Sequence, residues 1–264
     1  MSILNTIKNY KLKEVEERKA LYPTKLLEKS LYFDSPCVSL KHYVGDEQRS
    51  GIIAEFKRKS PSKGDINKYA LPQEVTIGYM QAGAAALSVL TDETFFGAQK
   101  NDLPTARKFN YCPILRKDFI VDEYQIVEAK SIGADAILLI AKMLEEQALM
   151  HFTVFAQSLG LEVFLETHTR QEVLMSTALN VDLIGINNRN LNTFEVDLEN
   201  SIRLAQLLPK QMIKVAESGI ESAATIRLLR HNGFQGFLIG DYFMRHSNPA
   251  HKCKELINQL HHED

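Results

Sequence analysis

Two residues that could do chemistry stand two positions apart in the stretch 51–65, which runs GIIAEFKRKSPSKGD. Residues two apart on a strand face the same side, so Ile53, Glu55 and Lys57 would share one face. A carboxylate and an ammonium on an inward face are costly unless that face opens into a site. An edge strand carrying a surface ion pair explains this stretch equally well. The choice between a site and a surface ion pair therefore depends on the rest of the chain.

Polar and charged residues end nearly every later apolar run in the same way. If these runs are parallel strands of one barrel, their C-terminal ends meet at one mouth, where barrel active sites lie. Burying many charges is expensive without a ligand or mutual pairing, although each residue alone could be a satisfied polar group. A cup of this kind can carry acid–base chemistry on an anionic substrate. Its members would be Glu55, Lys57, Lys117, Glu166, Asn187, Arg189 and Glu217.

The elements that must position this cup follow from a regular alternation. Eight short apolar runs lack the polar alternation of a half-exposed strand, as expected of strands buried on both faces: 52–56, 85–90, 113–115, 136–140, 163–165, 183–186, 214–216 and 237–239. Helical patterns separate them at 72–82, 101–109, 122–132, 144–159, 170–179, 198–208, 221–232 and 248–260. The sequence therefore predicts an α/β protein with a (β/α)8 TIM-barrel fold. An open doubly wound sheet is less favoured because no G-x-G-x-x-G follows the first strand.

The segment before the first strand lies outside this alternation. Ile3, Leu4, Ile7 and Val15 stand among many charges, which predicts an amphipathic helix over residues 2–20. We expect residues 1–48 to be an N-terminal helical extension packed on a single barrel domain that spans 1–264. A membrane-surface or partner helix is the alternative, but its apolar face would be weak.

Composition excludes several classes of protein. The net charge is −2 with no long run of one sign, which argues against a nucleic-acid partner. Three widely spaced cysteines without C-x-x-C, Cys37, Cys112 and Cys253, predict reduced thiols. No H-x-H or H-E-x-x-H occurs, so we expect no metal. With no long apolar run and no signal-peptide core, the sequence predicts a cytoplasmic protein without a membrane partner.

Turns rich in small residues predict an anion site at the same mouth. Ser60-Pro61-Ser62-Lys63-Gly64 follows the first strand, Ser218-Gly219 follows the seventh, and Gly240-Asp241 follows the eighth. Barrels often hold a phosphate between the loops after strands seven and eight, where glycine lets the backbone approach closely. The alternative is that these glycines only permit tight turns.

These motifs together resemble the indole-3-glycerol phosphate synthase family, in order and spacing, from about residue 54 to 240. The segments are AEFKRKSPSKG (54–64), SVLTD (88–92), FFG (95–97), LRKDF (115–119), YQIVEA (124–129), GADAILLI (133–140), LETH (165–168), GINNRNL (185–191), TFEVD (193–197) and AESGI (216–220). The resemblance implies ring closure of 1-(2-carboxyphenylamino)-1-deoxyribulose 5-phosphate with loss of CO2 and water. It also implies a tryptophan-biosynthetic enzyme that uses no cofactor, and we expect a monofunctional monomer.

The same resemblance implies a role for each matching residue. Lys117 would be the general acid, and Glu166 would act in the dehydration together with Lys57 or Lys117. Glu55 and Glu217 would orient the lysines and the substrate. The substrate carboxylate would be held by Lys57, Asn187 and Arg189, and its ring by Phe96, Phe119 and Leu138. The phosphate would be bound by Ser60, Ser218, Gly219, Gly240 and Asp241.

The chain departs from the family pattern at a few positions, and two other functions are possible alternatives for the same residues. Lys59, Asn190, Gly97-Ala98-Gln99 and Asp241-Tyr242-Phe243 differ from the residues usual there. An isomerase of a phosphoribosyl compound is one alternative, but Lys57 and Lys117 do not suit it. A catalytically silent scaffold is the other, and it predicts the loss of a catalytic group that this sequence retains.

Overall fold

A closed barrel of eight parallel strands forms the centre of the molecule in the computed structural model, which describes residues 3–190, 193 and 195–261. Each strand pairs with its neighbours in chain order, and the first pairs with the eighth through Ile52 and Phe237. The strands are Ile52–Phe56, Ala86–Leu90, Ile114–Lys117, Ala136–Ile140, Glu162–Thr167, Leu183–Asn187, Ile213–Glu217 and Gly236–Ile239. The predicted (β/α)8 fold is confirmed. The edge-strand interpretation of the first strand is wrong, because this strand has a partner on both sides.

The helices cover the barrel in the predicted order. They are Ile3–Leu21, Thr24–Leu27, Leu40–Gly45, Pro72–Gln81, Glu93–Phe96, Asp102–Phe109, Glu123–Ser131, Glu146–Ser158, Arg170–Ser176, Leu198–Ala205, Ala223–His231, Asp241–Met244 and Pro249–His261. The sequence did not predict the short helices Glu93–Phe96 and Asp241–Met244, nor the antiparallel hairpin of Lys59–Ser60 with Gly64–Asp65. These elements are too short for a periodic pattern to show, and all three lie at the C-terminal mouth of the barrel.

Local sequence fixes where several of these helices start. The side chain of Asp122 accepts from the Tyr124 amide, and that of Ser222 accepts from the Thr225 amide. Thr169 and Glu172 form a reciprocal capping box immediately after the fifth strand. Such caps satisfy backbone amides that have no partner within the helix, so they define how each helix leaves its strand.

Alternation along the strands divides the core into two layers, as the spacing predicted. Ile53, Leu115 and Phe164 belong to an apolar cluster inside the barrel. Ile52 and Ala54 belong to a larger cluster between the strands and the helices. Because successive residues point to opposite faces, the polar residues that continue the inner series emerge at the mouth of the barrel.

The N-terminal helix Ile3–Leu21 packs on this barrel, as predicted for residues 2–20. Leu4 and Ile7 join the inner cluster, and Val15 is also buried. Ion pairs from Arg18 to Glu128 and from Lys19 to Asp122 tie the helix to the barrel. Met1 and Ser2 lie outside the described residues, as do Leu191, Asn192 and Phe194 of the matched segments. Among the described helices, none is long and apolar enough to cross a bilayer.

Candidate active site

A cavity of about 220 Å³ opens at the C-terminal ends of the barrel strands. All fifteen site residues predicted from the sequence line this cavity: Glu55, Lys57, Ser60, Phe96, Lys117, Phe119, Leu138, Glu166, Asn187, Arg189, Glu217, Ser218, Gly219, Gly240 and Asp241. The structure therefore brings together residues from all eight strands, or from the loops that follow them. What each residue does there depends on its partners.

Lys117 holds the centre of the site between two carboxylates. Its Nζ atom lies 3.0 Å from Glu166 Oε2 and 2.6 Å from Glu217 Oε2. Burial alone would lower the pKa of Lys117, but the charges of Glu166, Glu217 and Glu55 together outweigh burial and raise it. The ammonium therefore stays protonated at neutral pH and can donate a proton.

The two carboxylates beside Lys117 differ in their preferred protonation states. Burial raises the pKa of Glu217 from its ordinary value of 4.5 to about 7, and the charge of Glu166 adds to that rise. Lys117, His168 and Asn187 overcome the effect of burial at Glu166 and lower its pKa. Two coupled carboxylates that share one ammonium cannot both ionise easily, so the better-bonded Glu166 is the ionised partner.

Two glycines make room for the carboxylates. A Cβ atom at Gly185 would collide with Glu217 Oε1 and with the Phe164 ring. A Cβ atom at Gly240 would collide with the carboxylate of Glu55. Close approach of a backbone to a functional group is one of the roles that only glycine serves. The sequence predicted a phosphate role for Gly240, and the structure shows a second reason for a glycine there.

Glu55 and Lys57 face the same cavity, as their spacing predicted. Glu55 is 4% exposed, and its Oε1 atom lies 2.9 Å from Lys57 Nζ. The pair is therefore an interior ion pair on the wall of the cup. An ammonium held beside a carboxylate in a cavity can still meet a second anion from the open side.

The sixth strand adds an amide network beside Glu166. Asn187 Nδ2 donates to Glu166 Oε1 at 3.0 Å, and the backbone amide of Arg189 donates to Asn187 Oδ1 at 3.0 Å. Arg189 also forms a β-bridge with Val196, which orders the backbone beyond the strand end. The three residues are thereby fixed relative to one another.

The loop after the seventh strand has an unusual backbone. Ser218 and Gly219 both have positive φ, 68° and 70°, and Ser218 is the one non-glycine residue with positive φ in the described chain. The carbonyl of Ser218 accepts from Asn188 Nδ2 at 2.7 Å, which holds this conformation. Strained backbone of this kind occurs at functional sites where the surrounding structure enforces it.

The other anion-site candidates lie around this loop. The hydroxyl of Ser60, 7% exposed, lies 3.4 Å from that of Ser62. Asp241 opens the short helix after Gly240, and its carboxylate pairs with Lys63 at 2.5 Å. Because Lys63 compensates this carboxylate, Asp241 does not leave an unbalanced negative charge at the mouth.

An apolar wall stands opposite these loops. The Phe96 and Phe119 rings lie 5.9 Å apart with a 42° tilt, and Leu138 lies in the same cavity wall. A flat aromatic group fits such a surface. Residues of the N-terminal helix complete the lining: Ile3, Leu4 and Ile7. These three residues were not predicted to line the site, although their helical spacing marked an apolar face.

His168 also contacts the site, although it was not predicted as a site residue. Its side chain is 8% exposed, and Nε2 lies 3.3 Å from Glu166 Oε1. Burial would lower the pKa of His168, but Glu166, Glu172 and Glu217 raise it. The signal was its position two residues after Glu166 on the same strand end. Among the described residues, no group of three or more histidine, cysteine, aspartate or glutamate side chains could hold a metal.

The fold and the site define a (β/α)8-barrel protein with an acid–base cup at the C-terminal ends of its strands. Two solved structures share this fold. Thiamine phosphate pyrophosphorylase from Pyrococcus furiosus matches with a TM-score of 0.61 and 13% identity, over 84% of this chain and 98% of its own. The 3-hexulose-6-phosphate synthase from Salmonella typhimurium matches with a TM-score of 0.63 and 11% identity, over 79% of this chain and 97% of its own. At these identities the likeness concerns the fold alone.

Sequence comparison identifies the family. The family model for indole-3-glycerol phosphate synthase matches residues 4–256. An indole-3-glycerol phosphate synthase from Bacteroides thetaiotaomicron is 50% identical over 211 residues, which cover 80% of this chain and 81% of the relative. The chain belongs to the indole-3-glycerol phosphate synthase family.

Proposed function

We propose that this cavity closes the indole ring of 1-(2-carboxyphenylamino)-1-deoxyribulose 5-phosphate, so that the protein is an indole-3-glycerol-phosphate synthase. The observation that carries the proposal is the Lys117 ammonium, held between Glu166 and Glu217 in a cup lined by further cations and aromatic rings. The reaction is a lyase step of tryptophan biosynthesis that releases CO2 and water. Its substrate is a small phosphorylated anion.

Lys117 acts as the general acid of ring closure. The ring carbon that bears the carboxylate attacks the ketone carbon, and the ketone oxygen takes a proton from the Lys117 ammonium. The new carbon–carbon bond leaves a hydroxyl and a ring that has lost its aromaticity. Cleavage of the carboxylate bond then releases CO2, and its electron pair restores the aromatic ring. The raised pKa of Lys117 supports this role, because the group is charged when the substrate arrives.

The carboxylate has to be held until the new bond forms. Lys57, Arg189 and Asn187 line the cup on strands one and six, and they supply donors for that carboxylate. Phe96, Phe119 and Leu138 face the aromatic ring. Fixing both ends of the substrate brings the ring carbon close to the ketone, which supplies much of the rate by orientation.

Glu166 acts as the base of the dehydration. Its lowered pKa keeps it ionised at neutral pH, so it can take a proton while a lysine, Lys57 or Lys117, protonates the departing hydroxyl. Glu217 orients Lys117 through a 2.6 Å contact, and Glu55 orients Lys57 through a 2.9 Å contact. The glutamates thus set the direction and charge of both ammonium groups.

The substrate phosphate binds at the loops after strands one, seven and eight. Ser218 and Gly219, two successive residues with positive φ, form the turn after strand seven, where glycine lets a backbone approach an anion closely. Ser60 adds a hydroxyl, while Gly240 and Asp241 contribute amides at the start of the short helix Asp241–Met244.

The remaining properties belong to the same proposal. The protein works in the cytoplasm as a monomer, without cofactor, metal, nucleic acid or membrane. Residues 1–264 form one barrel domain, and residues 1–48 are an extension packed on it. The contacts of Arg18 and Lys19 with Glu128 and Asp122 support that packing.

The direct test mixes the purified chain with the carboxyphenylamino-deoxyribulose phosphate and follows indole fluorescence. The chain contains no tryptophan, so the product signal rises over a low protein background. We expect indole fluorescence and CO2 to appear together, with little of either from the Lys117→Ala variant. Absence of product across pH 6–9 from folded wild-type protein would overturn the proposal.

A further inference from the structure

A buried lysine from outside the barrel repeat contacts the two loops that carry Phe96 and Phe119, the aromatic residues of the cavity wall. Lys11 lies on the N-terminal helix and is 1% exposed, although lysine rarely occurs at such burial without partners. Its Nζ atom lies 2.9 Å from Asp92 Oδ2 and 3.0 Å from Asp118 Oδ1. Glu14, one turn along the helix, contributes a third contact at 3.1 Å.

Both aspartates accept hydrogen bonds from backbone amides in the loops that carry Phe96 and Phe119. Asp92 Oδ1 accepts from the backbone amides of Phe95 and Phe96, at 2.6 and 3.2 Å, and starts the short helix after the second strand. Asp118 Oδ1 accepts from the Phe119 amide at 2.8 Å, and Asp118 follows Lys117 directly in the chain. Each carboxylate therefore holds the backbone of one of the two facing rings.

The Lys11 ammonium bridges the carboxylates of these two loops, which Thr91 also joins by donating from Oγ1 to Asp118 Oδ2 at 2.6 Å. Asp92 and Asp118 are both fully buried, so without a cation between them two negative charges would face each other away from water. Asp118 has a second cation in Arg116, at 3.0 Å. These short contacts join opposite charges away from water, so Lys11 acts chiefly by its charge.

We propose that Lys11 is a positioning residue: through Asp92 and Asp118 it fixes Phe96 and Phe119, and so sets the site's grip on the substrate's aromatic ring. The inference rests on the proposed function for the identity of that ring. It gives the N-terminal helix a defined part in substrate recognition, since the linking atom comes from outside the eight βα units. In the described part of the chain, no hydrogen bond or ion pair joins the loops after strands seven and eight to this cluster of Lys11, Asp92 and Asp118.

The test compares Lys11→Met, which keeps the length of the side chain, with Lys19→Met. Lys19 lies on the same helix and pairs with Glu16 and Asp122, but it touches neither aspartate of the cluster. The readouts are kcat and KM for the full substrate, binding of 2-aminobenzoate as a probe of the ring site, and inhibition by inorganic phosphate. Thermal unfolding establishes the temperature range in which each variant is folded.

We expect Lys11→Met to raise the KM for the substrate about 10-fold and to weaken 2-aminobenzoate binding by a similar factor. This is less than the roughly 100-fold loss that a 1 Å misplacement can cause. Inhibition by inorganic phosphate should change less than about twofold, because its site lies on other strands. Lys11→Arg should recover part of the loss, and Lys19→Met should match the wild type.

Two results would overturn the inference. One is a folded Lys11→Met variant with unchanged KM and probe binding, and the other is an equal loss at the ring and phosphate ends. If Lys11→Met does not fold, Asp92→Asn provides the same test, because it keeps the acceptor for the Phe95 amide and removes the charge that meets Lys11. Wild-type protein without any turnover would overturn the proposed function instead, and the 2-aminobenzoate titration would still decide the role of Lys11.

Discussion

Lys117 Nζ lies 2.6 Å from Glu217 Oε2, at the centre of a barrel mouth that four other charged strand ends surround. The contact links the third strand to the seventh across the cup, so it cannot form unless the barrel is closed. It also joins the group that we assign as the acid to a carboxylate whose pKa burial has raised.

Replacing Lys117 should remove most of the turnover while substrate binding is retained. One positioned acid contributes about 10²–10⁴ in rate, so Lys117→Ala should lower kcat by that factor. Substrate affinity should hold within a few-fold, because Lys57, Arg189 and the phosphate loops remain. Steady-state kinetics and equilibrium titration measure the two effects separately. Lys108→Ala, at an exposed lysine far from the cup, is the control, and a near-normal kcat in Lys117→Ala would remove the acid assignment.

Glu166→Gln should damage kcat more than KM. The substitution keeps the shape and an acceptor for Asn187, but it removes the ionised base. A loss of about 10² or more in kcat is expected for a positioned base. Glu162→Gln is a matched control at the opposite end of the same strand, where the side chain accepts from Ser39 and Lys41. If Glu166→Gln raised KM alone, the residue would position substrate without transferring a proton.

Glu217 should make the folded protein more stable at mildly acidic pH than near neutrality. Its pKa rises from 4.5 when exposed to about 7 when folded, so between these values the folded state binds more protons than the unfolded state. The stability from this group is therefore complete below about pH 4.5 and is lost as pH rises through about 7. Chemical denaturation of wild type and Glu217→Gln across pH 5–8 measures it. The variant should show a flatter dependence, and an unchanged slope would contradict the assignment.

Adding one methyl group at Gly240 should disable the site. The new Cβ atom would collide with the carboxylate of Glu55 and displace it from Lys57. We expect kcat/KM to fall about 100-fold, the cost typical of a 1 Å misplacement. Gly45→Ala is the control, because its Cβ atom meets only the mobile end of the Ile213 side chain, at 3.0 Å. A Gly240→Ala enzyme with full activity would show that Glu55 can move without consequence.

Gly185→Ala should act on the opposite wall. Its Cβ atom would collide with Glu217 Oε1 and the Phe164 ring, both of them buried. Because the core cannot expand cheaply, we expect a loss of stability of about 1–3 kcal/mol together with a lower kcat. Thermal unfolding and steady-state kinetics test both parts, and a change in neither would mean that Glu217 has room to retreat.

The sequence alone was sufficient to predict the barrel and the residues that line its mouth. Strands buried on both faces appear as short apolar runs, so 52–56 and 136–140 could be located without coordinates, and alternation placed Glu55 and Lys57 on the inner face. Closure of the barrel then required the polar strand ends to meet. Local composition also marked the loops at Ser218 and Gly240, because glycine and serine are the residues that such turns use.

Only the tertiary structure decided which of these residues touch and how each is charged. The pairing of Lys117 with Glu217 and the raised pKa of Glu217 arise from burial and from contacts between residues 100 positions apart. The contacts of Lys11 with Asp92 and Asp118 could not be predicted, because a lysine on an amphipathic helix is ordinarily solvent-exposed. Distances and desolvation depend on the folded arrangement of the whole chain, whereas periodicity and turn chemistry are properties of neighbouring residues.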